Sequence, residues 1–254
     1  MKYEAYIPCD LLKPFIKSFI ISESDEAATY KVLPDTGLVI GFQYQGRLFR
    51  LEKEKEFPLS TSGITGLGDA FRTFRNLPHT GTVLVLFREG GAAHFFKQPV
   101  HELFRESVSL DSFMLRSELL VLEEQLAEAT TDAARITVTE SFLLGRLRHT
   151  QPDQLVQAAL HLLHQHKGNI RIGILAAQLC TSQSPLEKRF RQVVGTTPKK
   201  FAAIIRMKWA LQHYQPQQSL TSLGYEAGFY DQAHFIREFK NFTGQTPEGY
   251  FAGR

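Results

Sequence analysis

Residues 228–247, GFYDQAHFIREFKNFTGQTP, gather groups able to read polar ligands on one side of what the spacing predicts to be a single helix. Phe235 and Phe239 stand four apart and share one face. The remaining side carries Asp231, Gln232, Ile236, Arg237 and Lys240. An amide or a guanidinium fork can read base edges, and an ammonium can neutralise a phosphate. A purely structural helix would tolerate the same solvated face, so this pattern alone leaves both readings open. His234 borders the face, either as an ordinary helix residue or as a phosphate contact.

Other reactive side chains form weaker constellations. His161, His164 and His166 are spaced i, i+3, i+5, without a carboxylate or cysteine placed to complete a metal site. His79, His94 and His101 lack a close H-x-H pair. Cys9 and Cys180 are too few for a disulfide framework or a cysteine-rich zinc site. No activating neighbour and no resolving partner is evident for Cys9 in IPCDLL. Gly63, Gly66 and Gly68 imitate a phosphate loop, but no lysine follows and no helix pattern opens there. G-x-S-x-G, H-E-x-x-H and recognisable carboxylate pairs are absent from the sequence. The expectation is a chain with no catalytic residues, no cofactor and no metal.

The elements that position the polar face occur twice. LAAQLCTSQSPLEKRFRQVVGTTP (175–198) aligns with LGYEAGFYDQAHFIREFKNFTGQTP (223–247). Leu175 matches Leu223, Leu186 matches Phe235, Phe190 matches Phe239, Gly195 matches Gly244, and Thr197-Pro198 matches Thr246-Pro247. Each unit reads as a short helix, a turn of about four residues, and a second helix stopped by glycine, the helix-turn-helix pattern. Between them, KKFAAIIRMKWALQHYQ has a helical stripe of Phe201, Ile204, Ile205, Trp209 and Ala210. It predicts a long helix that holds both units in fixed geometry, suited to successive major-groove turns about 34 Å apart. Upstream, DQLVQAALHLLHQHKG predicts a helix burying Val156, Ala159, Leu160 and Leu163 and ending at Gly168.

Residues 1–110 have strand character. KVLPDTGLVIGFQYQGRLFRL predicts a hairpin turning at Gln45-Gly46. HTGTVLVLFREGG predicts a strand closed by Gly90-Gly91. Residues 111–148 predict two amphipathic helices, the second capped near Thr131-Asp132, followed by a linker at His149-Thr150-Gln151-Pro152.

Composition fits a globular chain of 254 residues, 43% hydrophobic. Its net charge of +3 is unevenly spread. Residues 1–150 hold 17 Lys and Arg against 20 Asp and Glu, whereas residues 151–254 hold 12 against 6. The basic half points to a polyanionic partner. No apolar run reaches the roughly 18 residues of a membrane span. The N-terminus lacks the pattern of a secretory signal, so a reducing, cytoplasmic setting is expected.

Residues 153–251 resemble the AraC/XylS family of bacterial transcription regulators. The stretch that carries the likeness is GFYDQAHFIREFKNFTGQTPEGY, with Gly228, Phe229, Asp231, Gln232, His234, Phe235, Arg237, Phe239, Lys240, Gly244, Thr246, Pro247 and Tyr250 in register. The resemblance implies base-reading positions at Ser184, Glu187 and Lys188 in the first unit, and at Gln232, Ala233, Ile236 and Arg237 in the second. It makes Arg191, Lys199, Arg206 and Lys240 candidate phosphate contacts. Cys180 stands where the second unit has Gly228, at a cost of up to about 1 kcal/mol if φ is positive there. Glu187 can accept from a cytosine amino group or repel the DNA backbone. VLPDTGLVIGFQYQG and VLVLFREGGAAHFFKQPVHELF are similar to a β-rich domain that precedes this module in some members, implying a cupin-like half-barrel for sensing or dimerisation.

The expected fold class is therefore α+β: a β-rich regulatory domain (1–110), a helical connector (111–150) and an all-α DNA-binding domain (151–254). The implied partner is double-stranded DNA. RNA polymerase, as for an activator, a small-molecule effector of unknown identity and a second copy of the chain are the further partners the resemblance admits; a membrane is not. The competing reading is a ligand sensor that acts through protein partners with weakened DNA readout. An alkyl-transfer repair enzyme, which can carry this module, needs a Pro-Cys-His-Arg setting that Cys9 lacks.

Overall fold

The computed structural model describes residues 1–53, 55–148 and 150–252. In chain order the strands are β1 (Lys2–Tyr6), β2 (Ile16–Ser24), β3 (Ala28–Val32), β4 (Val39–Gln45), β5 (Leu48–Glu52), β6 (Lys55–Pro58), β7 (Ser62–Thr65), β8 (Arg72–Asn76), β9 (Thr80–Phe87) and β10 (Ser107–Ser109). The helices follow as α1 (Arg116–Glu128), α2 (Asp132–Leu144), α3 (Gln154–Gln165), α4 (Ile172–Gln178), α5 (Gln183–Val194), α6 (Pro198–His213), α7 (Leu220–Glu226), α8 (Gln232–Thr243) and α9 (Pro247–Ala252). His149, the first residue of the expected linker, lies outside the described residues.

The strands form two antiparallel sheets, β1-β2-β9-β4-β7-β10 and β3-β8-β5-β6. Alternation along β9 decides what each face does. Val83, Val85 and Phe87 are buried beside Phe19, Ile21, Ile40 and Phe42. Phe42 meets Phe142 of α2 edge-on at 5.8 Å, so this face of the first sheet packs under the helices. Leu84 and Leu86 point the other way, toward the second sheet.

The hairpin expected at Gln45-Gly46 is not a hairpin. The described residues of β4 pair with β7 and β9, and those of β5 pair with β6 and β8. The turn is a corner that carries the chain from one sheet to the other. Local spacing could not reveal this, because a corner and a hairpin use the same turn residues.

Helices α1 and α2 pack on the strands rather than standing apart. Ser62 Oγ donates to Glu123 of α1 at 2.7 Å, Cys9 N donates to Glu140 of α2 at 2.6 Å, and Tyr6 OH donates to Asp132 at 2.9 Å. Thr131 caps α2 by accepting from Ala134 N, as its sequence suggested.

Candidate nucleic-acid interface

Each helix-turn-helix unit is held from behind. In the first, Leu175, Leu186 and Phe190 are fully buried; in the second, Leu223, Phe235 and Phe239 are. Phe190 meets Phe201 of α6 at 5.5 Å, and Phe239 meets Phe251 of α9 at 5.4 Å. Thr197 caps α6 through Lys200 N, with Pro198 in the first turn, where proline loses no hydrogen bond. Gly195 and Gly244, at φ 97° and 76°, end α5 and α8.

The turn residues repeat as the alignment demands. Gly228 sits at φ 80° and Cys180 at φ 51°, so the second position carries a side chain in a left-handed conformation.

With their backs packed, α5 and α8 expose their opposite faces. Ser184, Lys188 and Arg191 are exposed on α5, and Lys199 on α6; Glu187 is half-buried. On α8, Gln232, Ala233, Arg237 and Lys240 are exposed, while Ile236 and His234 are half-buried. The His234 ring lies edge-on to Phe229 at 5.5 Å, tying it to the turn. Gln232 Oε1 accepts from Thr221 Oγ1 at 2.9 Å, which orients its amide from α7.

Two expected contacts have other duties. Asp231 is the N-cap of α8, accepting from His234 N at 2.7 Å. Its Oδ1 thereby satisfies an orphan donor in the first turn of the helix. Arg206 donates from Nη1 to Gly168 O at 3.2 Å, and its guanidinium lies 5.4 Å from the Phe229 ring centre. Burial pushes its pKa below the ordinary arginine value. Arg206 therefore joins the end of α3 to the turn of the second unit.

Two of the histidines, His164 and His94, are similarly engaged. His164 Nε2 meets both Glu89 oxygens, at 2.9 and 2.8 Å, and this contact raises its pKa. His94 Nδ1 meets Thr150 Oγ1 at 2.9 Å. Among the described residues, no group of three His, Cys, Asp or Glu side chains is placed to hold a metal ion. No helix there is long and apolar enough to cross a membrane.

The seam between the two halves has no signature in the sequence. Lys208 of α6 pairs with Asp35. Asp69 faces Lys200 at 3.6 Å, its carbonyl accepts from Asn241 Nδ2 at 2.8 Å, and Phe71 N donates to Asn241 O at 3.4 Å. Asn241 belongs to the last turn of α8, so a strand-domain loop grips the second unit. His101 shares a groove with Gln183, Ser184, Glu187, Lys188 and Arg191. Such long-range pairs leave no periodic trace in one sequence.

Two family models match separate parts of the chain. Residues 175–253 match a helix-turn-helix domain family, and residues 4–109 match a domain of unknown function (DUF6597). An uncharacterized HTH-type transcriptional regulator of Haemophilus influenzae is 26% identical over 148 residues, 52% of this chain and 50% of that protein. The arabinose operon regulatory protein of Escherichia coli is 30% identical over 127 residues, 46% of this chain and 44% of that protein. The chain spans about half the length of these relatives. A structure of ToxT from Vibrio cholerae covers 99% of this chain and 98% of its own, with a TM-score of 0.47 and 10% identity.

Proposed function

We propose that this chain, whose C-terminal part belongs to the AraC-type helix-turn-helix family, is a sequence-specific DNA-binding transcription regulator. In this reading α5 and α8 enter successive major-groove turns of double-stranded DNA. The observation that carries it is the pairing of packing and exposure. Two helices, each anchored by fully buried side chains four apart, leave Ser184, Lys188 and Arg191, and Ala233, Arg237 and Lys240, uncovered.

The roles divide by chemistry. Arg237 and Gln232 carry forks suited to base edges. Lys188 adds a cation on the face of α5. Arg191, Lys199 and Lys240 supply cations for phosphates. Ala233 and Ile236 offer apolar surface to a thymine methyl. Asp231 and Arg206 act as scaffold. Residues 1–110 sense an effector and, through the loop that touches Asn241, adjust how α8 is presented. Leu120 and Val121 of α1, more than half exposed, would form the contact between copies in a homodimer. Action is in the cytoplasm, without catalysis, and RNA polymerase is the further partner an activator needs.

Salt-titrated binding of duplex DNA by the full-length protein tests this. The expected result is a steep fall of affinity with salt. Salt-independent or absent binding would instead favour a sensor acting through protein partners, a reading to which the acidic Glu187 on α5 lends support.

A further inference from the structure

The two helix-turn-helix units correspond residue by residue at the start of their second helices. The register that sets Leu186 against Phe235 also sets Gln183 against Gln232, Ser184 against Ala233 and Lys188 against Arg237. Gln183 opens α5 and Gln232 opens α8, and both side chains are exposed.

Their amides lie alike but are held differently. Gln232 Oε1 accepts from Thr221 Oγ1 of α7 at 2.9 Å. Thr221 stands two residues before Leu223; the residue two before Leu175 in α4 is Gly173. A Cβ added to Gly173 would fall 2.8 Å from Gln183 Nε2. Each glutamine therefore folds back over the first helix of its own unit, but Gly173 has no hydroxyl with which to tie the amide down.

The rest of the first turn of α5 reads little. A recognition helix meets base edges with its N-terminal residues. There Ser184 is short, the Pro185 side chain has no hydrogen-bonding group, Leu186 is buried, and Glu187 is half-buried and acidic. Arg189, farther along, is paired with Asp153 at 2.6 Å. Among residues 183–187, Gln183 alone joins exposure to the reach and the paired donor and acceptor of an amide. It borders one groove with Ser184 and Lys188.

We propose that Gln183 is a specificity-determining residue of the first unit, its amide bidentate to an adenine in the major groove. Nε2 donates to N7, and Oε1 accepts from the N6 amino group. This assignment deepens, and rests on, the reading of the chain as a DNA-binding regulator.

Selection from a random duplex library tests it, with the full chain and with its Gln183→Ala and Gln183→Glu variants, followed by anisotropy measurements on the selected sites. The wild type should prefer adenine over guanine by about fivefold to a hundredfold at one position of the block that Arg237→Ala leaves sharp. Gln183→Ala should bring that ratio near one and leave the other block unchanged. Gln183→Glu only accepts hydrogen bonds and suits the start of a helix, so it should move the preference at that position to cytosine. A residue that merely supports the fold would not exchange one base for another. The same motif from wild type and Gln183→Ala, a loss spread evenly over both blocks, or adenine retained by Gln183→Glu would each overturn the assignment and leave the regulator reading in place. No motif from the wild type at low salt would remove the regulator reading, and the assignment with it.

Discussion

Arg206 and Lys240 are both cations in the DNA-binding half, but Lys240 is exposed whereas Arg206 is half-buried and donates to Gly168 O. Lys240→Ala should weaken binding to all duplexes alike and lower the salt slope by about 1; fluorescence anisotropy across a salt series reads this. Arg206→Ala should leave the salt slope intact and cost about 1–3 kcal/mol of stability, because Gly168 O loses its donor inside the protein. Urea unfolding measures that loss, and a reduced slope with unchanged stability would restore Arg206 as a phosphate contact. The exposed face of α8 was legible because its anchors repeat at four-residue spacing. The diversion of Arg206 was not, since its partners, Gly168 and Phe229, lie 38 and 23 residues away along the chain.

At the scale of elements, the two turns form a natural comparison. Gly228 adopts φ 80°, and a Cβ added there would fall 2.5 Å from Asn169 Cγ. Gly228→Ala should therefore destabilise the protein by about 1–2 kcal/mol. Cys180 already holds a left-handed conformation at φ 51°, so Cys180→Gly should gain up to about 1 kcal/mol in denaturant unfolding. The alignment of the units exposed this asymmetry directly, because one repeat reports the conformation that the other must adopt. Helices α3 to α8 were legible for the same kind of reason: a 3.6-residue period marks a buried stripe wherever it lies. Strands β4, β5 and β9 were legible singly but not in their pairing, and LKPFIKSFIISES, which holds β2, could be read as helix or strand. The corner at Gln45-Gly46 sends β4 and β5 to different sheets, a choice made by distant partners β7, β8 and β9.

For the whole molecule, the seam between the halves decides how sensing reaches DNA. One contact there is a histidine–carboxylate pair, His164 with Glu89. The hydrogen bond with Glu89 raises the His164 pKa above its ordinary value. A raised histidine pKa contributes stability that is complete below the unfolded value, about 6.5, and is lost as pH rises through the folded value. The stability gap between wild type and His164→Gln should thus be larger at pH 6 than at pH 9. It should stay under about 1 kcal/mol, because the His164 side chain is 48% exposed and screened by solvent. The central claim, that the open faces of α5 and α8 read DNA sequence, is tested most directly by selection from a random duplex library with the wild type and with Arg237→Ala. The account predicts two short sequence blocks about one helical turn apart, with one block blurred by the substitution. No enriched motif at low salt, or an identical motif from both proteins, would contradict it.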